Sequence, residues 1–144
     1  MLLGQEFRKI SKKHQVALPM RIRAELGDRL IVTKGIESCL QIVSPKNWEI
    51  LLEGTEGKPF LDKTTRELHR FLFGNAVELV LDKQGRMILP DYLVTYAKIK
   101  SQVVFIGIQR YVEVWDTDEF KKHEDKIGNI ELLTISLSQT KGHE

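Results

Sequence analysis

Apolar and polar positions follow one another twice along this chain in the same order, and each pass predicts the same elements. Glu6–Ile10 reads as a strand, a short polar loop follows, and Gln15–Leu18 reads as a second strand that stops at Pro19. The second pass runs Ala76–Leu81, a polar loop, then Arg86–Leu89 up to Pro90. Proline is at no disadvantage at the first position of a helix, where its missing N–H has no partner to lose. Short helices are therefore predicted over Met20–Leu26 and Asp91–Ala97, the latter with Leu93, Tyr96 and Ala97 on one stripe. Two β-branched, partly alternating strands come next in each copy, Leu30–Thr33 with Cys39–Val43 and Val103–Ile108 with Tyr111–Trp115. A helix closes each copy. After Pro45, Trp48, Leu51 and Leu52 share a face. The other closing helix is Asp118–Glu124, capped by Asp116 or Thr117, with Phe120 turned inward.

The repeat is visible residue by residue at a spacing of about 70. Met1-Leu2-Leu3-Gly4 aligns with Phe71-Leu72-Phe73-Gly74. Ser11-Lys12-Lys13-His14-Gln15-Val16-Ala17-Leu18-Pro19 aligns with Asp82-Lys83-Gln84-Gly85-Arg86-Met87-Ile88-Leu89-Pro90. Gly35 aligns with Gly107, Cys39-Leu40-Gln41-Ile42-Val43 with Tyr111-Val112-Glu113-Val114-Trp115, and Trp48 with Phe120. This predicts a first repeat over 1–54, a linker and helix over 55–70, a second repeat over 71–125 and a tail over 126–144. The linker opens with the turn-rich Gly54-Thr55-Glu56-Gly57-Lys58-Pro59. Thr64-Thr65-Arg66-Glu67 reads as a capping box with Thr64 as cap. Leu68, Phe71 and Leu72 form that helix's apolar face, and Lys63, Arg66, His69 and Arg70 its polar face. The helix and Leu61 suit either a subunit contact or packing within the chain. The tail, with Ile130, Leu132, Leu133, Ile135 and Leu137, fits a short helix or a strand, and Lys141–Glu144 reads as frayed.

A single copy would leave sheet edges unpaired and too little core to fold alone. The two copies are expected to pair edges and pool their apolar faces. The fold class expected is mainly β with short helices (α+β), a closed or nearly closed barrel with pseudo-two-fold internal duplication, its two polar loops related by that axis.

Composition narrows the function. The 144 residues are 42% hydrophobic and 29% charged, ordinary for a globular protein. No run approaches the roughly 18 apolar residues of a membrane helix, and the amino end is too short in apolar residues for a signal peptide, so a cytoplasmic protein is expected. The single cysteine, Cys39, excludes an internal disulfide and cysteine-rich zinc sites, and reads as a small core residue. Net charge is only +2, but its distribution is uneven. Residues 1–30 carry seven basic side chains (Arg8, Lys9, Lys12, Lys13, Arg21, Arg23, Arg29) against three acidic ones (Glu6, Glu25, Asp28). Such a patch suits phosphates, although a solvated basic surface explains it equally.

The loop Asp82-Lys83-Gln84-Gly85-Arg86 is the most informative stretch. Asp82 can accept hydrogen bonds from backbone N–H groups two or three residues on, and Gly85 supplies a positive φ without steric cost. Arg86 then stands at the base of a rigid hairpin, where its planar fork matches a phosphate or the O6/N7 edge of guanine. Lys83 adds a phosphate contact. Alternatively, Asp82 and Arg86 simply brace the turn, and both roles are compatible. Catalysis has little to stand on. His14, His69, His123 and His143 are scattered, no glycine-rich phosphate loop is present, and neither Ser11 nor Ser38 sits on a nucleophile elbow.

On these residues the chain resembles the MraZ family, whose mark is two Asp-x-x-x-Arg loops, each followed by a strand ending in proline. Asp82 to Pro90 is a close match. Phe73-Gly74-Asn75-Ala76, Val104-Phe105-Ile106-Gly107, Leu26-Gly27-Asp28 with Val32-Thr33-Lys34-Gly35, and Val112-Glu113-Val114-Trp115 are similar too, so the likeness spans Met1 to about Asp125. The resemblance implies a double-split β-barrel of the AbrB/MazE type. It also implies a ring-shaped homo-oligomer that binds double-stranded DNA at direct repeats in the promoter of the division and cell-wall gene cluster. That would make the chain a nucleoid-associated transcriptional regulator with no cofactor, metal, membrane or small-molecule substrate. It places DNA contacts on Lys12, Lys13, His14, Gln15, Asp82, Lys83, Gln84, Gly85 and Arg86.

The first motif departs from the family pattern. Ser11-Lys12-Lys13-His14-Gln15 lacks the acid, the glycine and the arginine. Ser11 can still cap the turn, Lys12 and Lys13 keep it basic, and Gln15 can pair with adenine N6/N7. The expectation is that the first loop mainly contacts phosphate while the second reads bases. The competing reading is a ring-forming interaction scaffold that no longer binds DNA.

Overall fold

The computed structural model describes residues 1–55 and 61–141. The predicted turn over 56–59 and the frayed end over 142–144 lie outside the described residues. The fold is mixed α and β, and every strand pairing is antiparallel. In chain order the elements are β1 (Gln5–Lys9), β2 (Gln15–Ala17), α1 (Met20–Leu26), β3 (Arg29–Lys34), β4 (Leu40–Val43) and a 3-10 segment (Pro45–Leu52). Then come α2 (Lys63–Gly74), β5 (Val77–Val80), β6 (Arg86–Ile88), α3 (Asp91–Tyr96), β7 (Gln102–Ile108), β8 (Tyr111–Asp116), α4 (Thr117–Ile127) and α5 (Ile130–Lys141).

Six strands form one sheet in the order β1-β7-β8-β4-β3-β5, and β2 pairs with β6 in a separate two-stranded ribbon. The halves interchange strands. The first strand of each half pairs with the third strand of the other, β1 with β7 and β5 with β3. Two pairings are centred on equivalent residues: Val16 opposite Met87 in the ribbon, and Gln41 opposite Glu113 between β4 and β8. A two-fold relation between the halves thus passes through both. No ladder hydrogen-bonds the ribbon to the sheet among the described residues, so a continuous closed barrel is not seen.

One core serves both halves, with Val16, Leu18, Leu30 and Ile42 from the first packed with Met87, Leu89, Leu93 and Phe105 from the second. Cys39 is a buried core residue beside Val104 and Trp115, and burial pushes its thiol pKa far up. The predicted stripe on α3 holds, with Leu93 and Ala97 fully buried. Leu72 of α2 is buried, and Leu68 and Phe71 pack with it against Val43, Ile50 and Leu51. The helix's apolar face is therefore used within the chain.

Three expectations need correction, and the alternative left open for the tail is settled. Asp62, not Thr64, caps α2, accepting from the Thr65 N–H at 3.1 Å and its hydroxyl at 2.6 Å. A carboxylate two residues earlier is the stronger acceptor for orphan N–H groups, and Glu67 pairs with Arg70 instead. Trp48 does not share the inward face. The segment is 3-10 and kinked at Asn47, so Ile50 and Leu51 are buried while Trp48 stays 47% exposed and meets Phe73 edge-on. The tail is helical, and the side chains of Ile130, Leu132, Leu133, Ile135 and Leu137 are all exposed.

The last correction concerns Gly35 and Gly107. Arg29 opposes Val80 where Gln102 opposes Lys9, so Leu30 and Val32 stand in the places of Val103 and Phe105. Lys34, not Gly35, is therefore Gly107's counterpart. The two glycines answer different crowding. A methyl on Gly35 would meet Cys39, and one on Gly107 would overlap the backbone of Leu2 and Leu3. That arm is tied down by the Leu2–Gln109 bridge, with N···O distances of 2.9 and 2.7 Å. Gly107→Ala should lift the arm and cost about 1–3 kcal/mol in urea unfolding. Gly74→Ala, which meets nothing within 4 Å, should be neutral or stabilise the end of α2 by up to about 1 kcal/mol.

Candidate nucleic-acid interface

The two polar loops adopt one conformation despite their different sequences. In the second loop the Asp82 N–H donates to the Arg86 carbonyl (2.9 Å) and the Gly85 N–H to the Asp82 carbonyl (3.0 Å). Asp82 Oδ1 accepts from the N–H groups of Gln84 and Arg86, both at 2.9 Å. In the first loop the Ser11 N–H donates to the Gln15 carbonyl (3.0 Å) and the His14 N–H to the Ser11 carbonyl (2.9 Å). Ser11 Oγ accepts from the N–H groups of Lys13 and Gln15 at 3.2 and 3.1 Å. A hydroxyl thus does for the first turn what a carboxylate does for the second. Each turn also closes through a residue at positive φ, His14 at 64° and Gly85 at 76°.

The same positions have different neighbours. His14, half-buried, sets its Nδ1 2.9 Å from Asp91 Oδ1. Gly85 is buried, and a Cβ there would stand 2.9 Å from Arg23 Nη1. Arg23 is itself held by Asp28 at 2.8 Å. His14 and Gly85 therefore shape the turns, while Lys12, Lys13, Lys83, Gln84 and Arg86 are exposed at or beside the tips. Asp91 and Arg23, which brace the tips from outside the motifs, are not marked by any motif. Arg23 was one charge among seven in the basic segment, and only its position in space assigns it to the second loop.

Each tip is fixed to the opposite half. The Leu18 N–H donates to the Gly85 carbonyl and the Leu89 N–H to the His14 carbonyl, both at 2.9 Å. Between these bonds lies the ribbon, with Val16 and Met87 turned into the core and Gln15, Ala17, Arg86 and Ile88 on the outer face. Gln15 and Arg86 occupy equivalent places, and together they line one shallow depression. The two tips thus flank a common surface.

Charge follows the same arrangement. Arg86 Nε is 3.0 Å from Asp82 Oδ2, an ion pair that engages the fork through Nε while the side chain stays 43% exposed. The Arg86 N–H, and after it the Arg86 side chain, hold the Asp82 carboxyl below its ordinary pKa. Of the seven basic residues in the first thirty, Arg8 donates to the Phe7 carbonyl, Arg21 lies 3.9 Å from Glu6 and Arg23 pairs with Asp28. Among the described residues, Lys9, Lys12, Lys13 and Arg29 have no such pairing.

The fold and these tips define a class: an internally duplicated protein of mixed α and antiparallel β structure whose halves exchange strands and raise two basic hairpin tips around a shared ribbon. The MraZ protein family model matches the chain twice, over residues 1–71 and 72–137. The chain is 32% identical over 139 residues to the transcriptional regulator MraZ of Clostridium tetani, covering 96% of this chain and 98% of that protein. It is 37% identical over 123 residues to that of Caldanaerobacter subterraneus subsp. tengcongensis, covering 85% and 86%. It is 36% identical over 140 residues to that of Caldicellulosiruptor saccharolyticus, covering 96% and 98%. The chain belongs to the MraZ family. Its relatives are named as transcriptional regulators, not as enzymes. No described helix is long and apolar enough to cross a membrane.

Asp82 gives the tips different acid responses. Its folded pKa is depressed, so its clamp is complete above the unfolded carboxylate range and is lost as pH falls through the folded value. In an NMR titration from neutral pH to roughly pH 2, the amides of Gln84 and Arg86 should shift with one carboxyl titration. The amides of Lys13 and Gln15, clamped by a hydroxyl, should not show it.

Proposed function

We propose that this chain is a DNA-binding transcriptional regulator that grips duplex DNA with its two hairpin tips. The observation that carries this reading is the common geometry of the tips. Lys12 and Lys13 at one end of the ribbon and Lys83 and Arg86 at the other stand on turns of the same shape. The ribbon is three residue pairs long, so the tips lie within about 15–20 Å of each other, a span of roughly five base steps. Lysines so placed meet phosphates, and the oriented Arg86 fork meets base edges.

The family supplies the finer assignment. The fold is read as a double-split β-barrel of the AbrB/MazE type in which the β2/β6 ribbon completes the wall beside the six-stranded sheet, with half-units over 1–54 and 71–125. The operator is read as direct repeats upstream of a division and cell-wall gene cluster. A ring of copies engages those repeats at once, since several weak contacts on one face raise effective concentration. The protein then works in the cytoplasm, at the nucleoid.

Gel shifts on the chain's own upstream DNA test this. Neutralising about three phosphates predicts a loss of roughly 40-fold in affinity between about 50 and 200 mM salt. Lys12→Ala and Lys83→Ala should each weaken binding on every duplex and lower the salt slope by about one. Arg86→Ala should cost about 1–3 kcal/mol on the preferred sequence alone. Binding that ignores salt and all three substitutions would sink the reading and favour a scaffold without DNA affinity.

A further inference from the structure

The ribbon's outer face has two unlike rungs. Register sets Ala17 across from Arg86 and Ile88 across from Gln15. One rung therefore joins a cationic fork to a side chain the size of a methyl group. The other joins a carboxamide to a branched apolar side chain. Ile88 is 58% exposed, and it lines the depression between the tips with Gln15, Arg86 and Val80, itself 64% exposed. The loops that set the rungs are superposable in hydrogen bonding, so Gln15 is delivered to the same kind of position as Arg86 and is not confined to the phosphate backbone.

A two-stranded ribbon fits the DNA major groove. Guanine offers O6 and N7 there to an arginine fork, and adenine offers N6 and N7 to a glutamine amide. Thymine presents the C5-methyl group. Side chains across a rung stand about 5 Å apart, close enough for the amide and the isoleucine to address one adenine–thymine pair or two adjoining ones. The rungs are two residues apart along the strand, about 6.6 Å, which corresponds to two base steps of about 3.4 Å.

We propose that the outer face of the ribbon is an asymmetric base-reading surface. Arg86 reads a guanine, Gln15 reads an adenine about two base steps away, and Ile88 contacts the C5-methyl of the adjoining thymine. This rests on the DNA-binding function proposed above and adds to it the residues that set sequence preference. Ala17 keeps the Arg86 rung clear, whereas Ile88 makes the Gln15 rung selective for thymine, so swapping the rungs would not reproduce the site.

The test is selection from a random duplex library at fixed salt, followed by binding of the enriched duplex with deoxyuridine in place of thymine, which removes only the methyl group. The wild-type chain should enrich guanine and an adenine–thymine pair two steps apart. It should lose about fivefold or more in affinity when that thymine becomes deoxyuridine. Ile88→Ser, a change at an exposed position, should bind both duplexes within about twofold of each other. Gln15→Arg should exchange the selected adenine for guanine. Unchanged enrichment by Gln15→Arg, or an equal deoxyuridine loss in Ile88→Ser, overturns the assignment. Salt-dependent binding without any enrichment overturns this inference and leaves the DNA-binding reading standing. Absence of salt-dependent binding to every duplex overturns both.

Discussion

The pairing of β2 with β6 is the contact on which the rest of the molecule depends. It places one strand from each half side by side around Val16 and Met87, which seal the core beneath. It also anchors each tip to the opposite half through the Leu18–Gly85 and Leu89–His14 hydrogen bonds. Each turn is closed by its own loop, but the groups that tie it down, Leu18 and Arg23 at the second tip and Leu89 and Asp91 at the first, belong to the other half. The exchange of β1 and β5 between halves works the same way: an edge strand is satisfied only by its partner half. Folding and presentation of the tips are therefore one event.

Within that frame the two tips have diverged in chemistry while keeping their shape. What a hairpin of this kind needs is a short oxygen at its first position and a residue that tolerates positive φ at its fourth. Asp82 and Gly85 meet the need in one loop, Ser11 and His14 in the other. Histidine is among the residues less averse to that region, and Asp91 holds its ring. The side chains free of these duties, Lys12, Lys13, Gln15 and Lys83, can change without disturbing the turn, whereas the Arg86 side chain is also paired with the clamping carboxylate. An overall charge of +2 is thus no measure of the surface, since the acidic residues near the tips are committed to shaping or bracing them.

Much of the fold was legible because its signals are local. Proline after each second strand, the β-branched runs and the amphipathic α2 and α3 set elements that agree with the structure to within a residue or two. The errors also have local causes. Asp62 outcompeted Thr64 as a cap, and a 3-10 segment turned Trp48 outward where an α-helical period would have buried it. A strand offset of one residue separated Gly35 from Gly107 although both are glycines beside crowded backbone.

By itself the sequence determined that the chain is a duplication, that each copy carries a polar hairpin, and that the second hairpin has an acid placed to clamp its turn. These follow from periodicity, turn chemistry and residue type, which act over a few residues. Only the tertiary structure decided that Gln15 and Arg86 share one outer face. It alone showed that Ile88 stands opposite Gln15 and that Arg23 and Asp91 brace the turns. Those facts depend on strand register between residues some seventy positions apart. Register is set by how both halves fill one core, which no local pattern encodes.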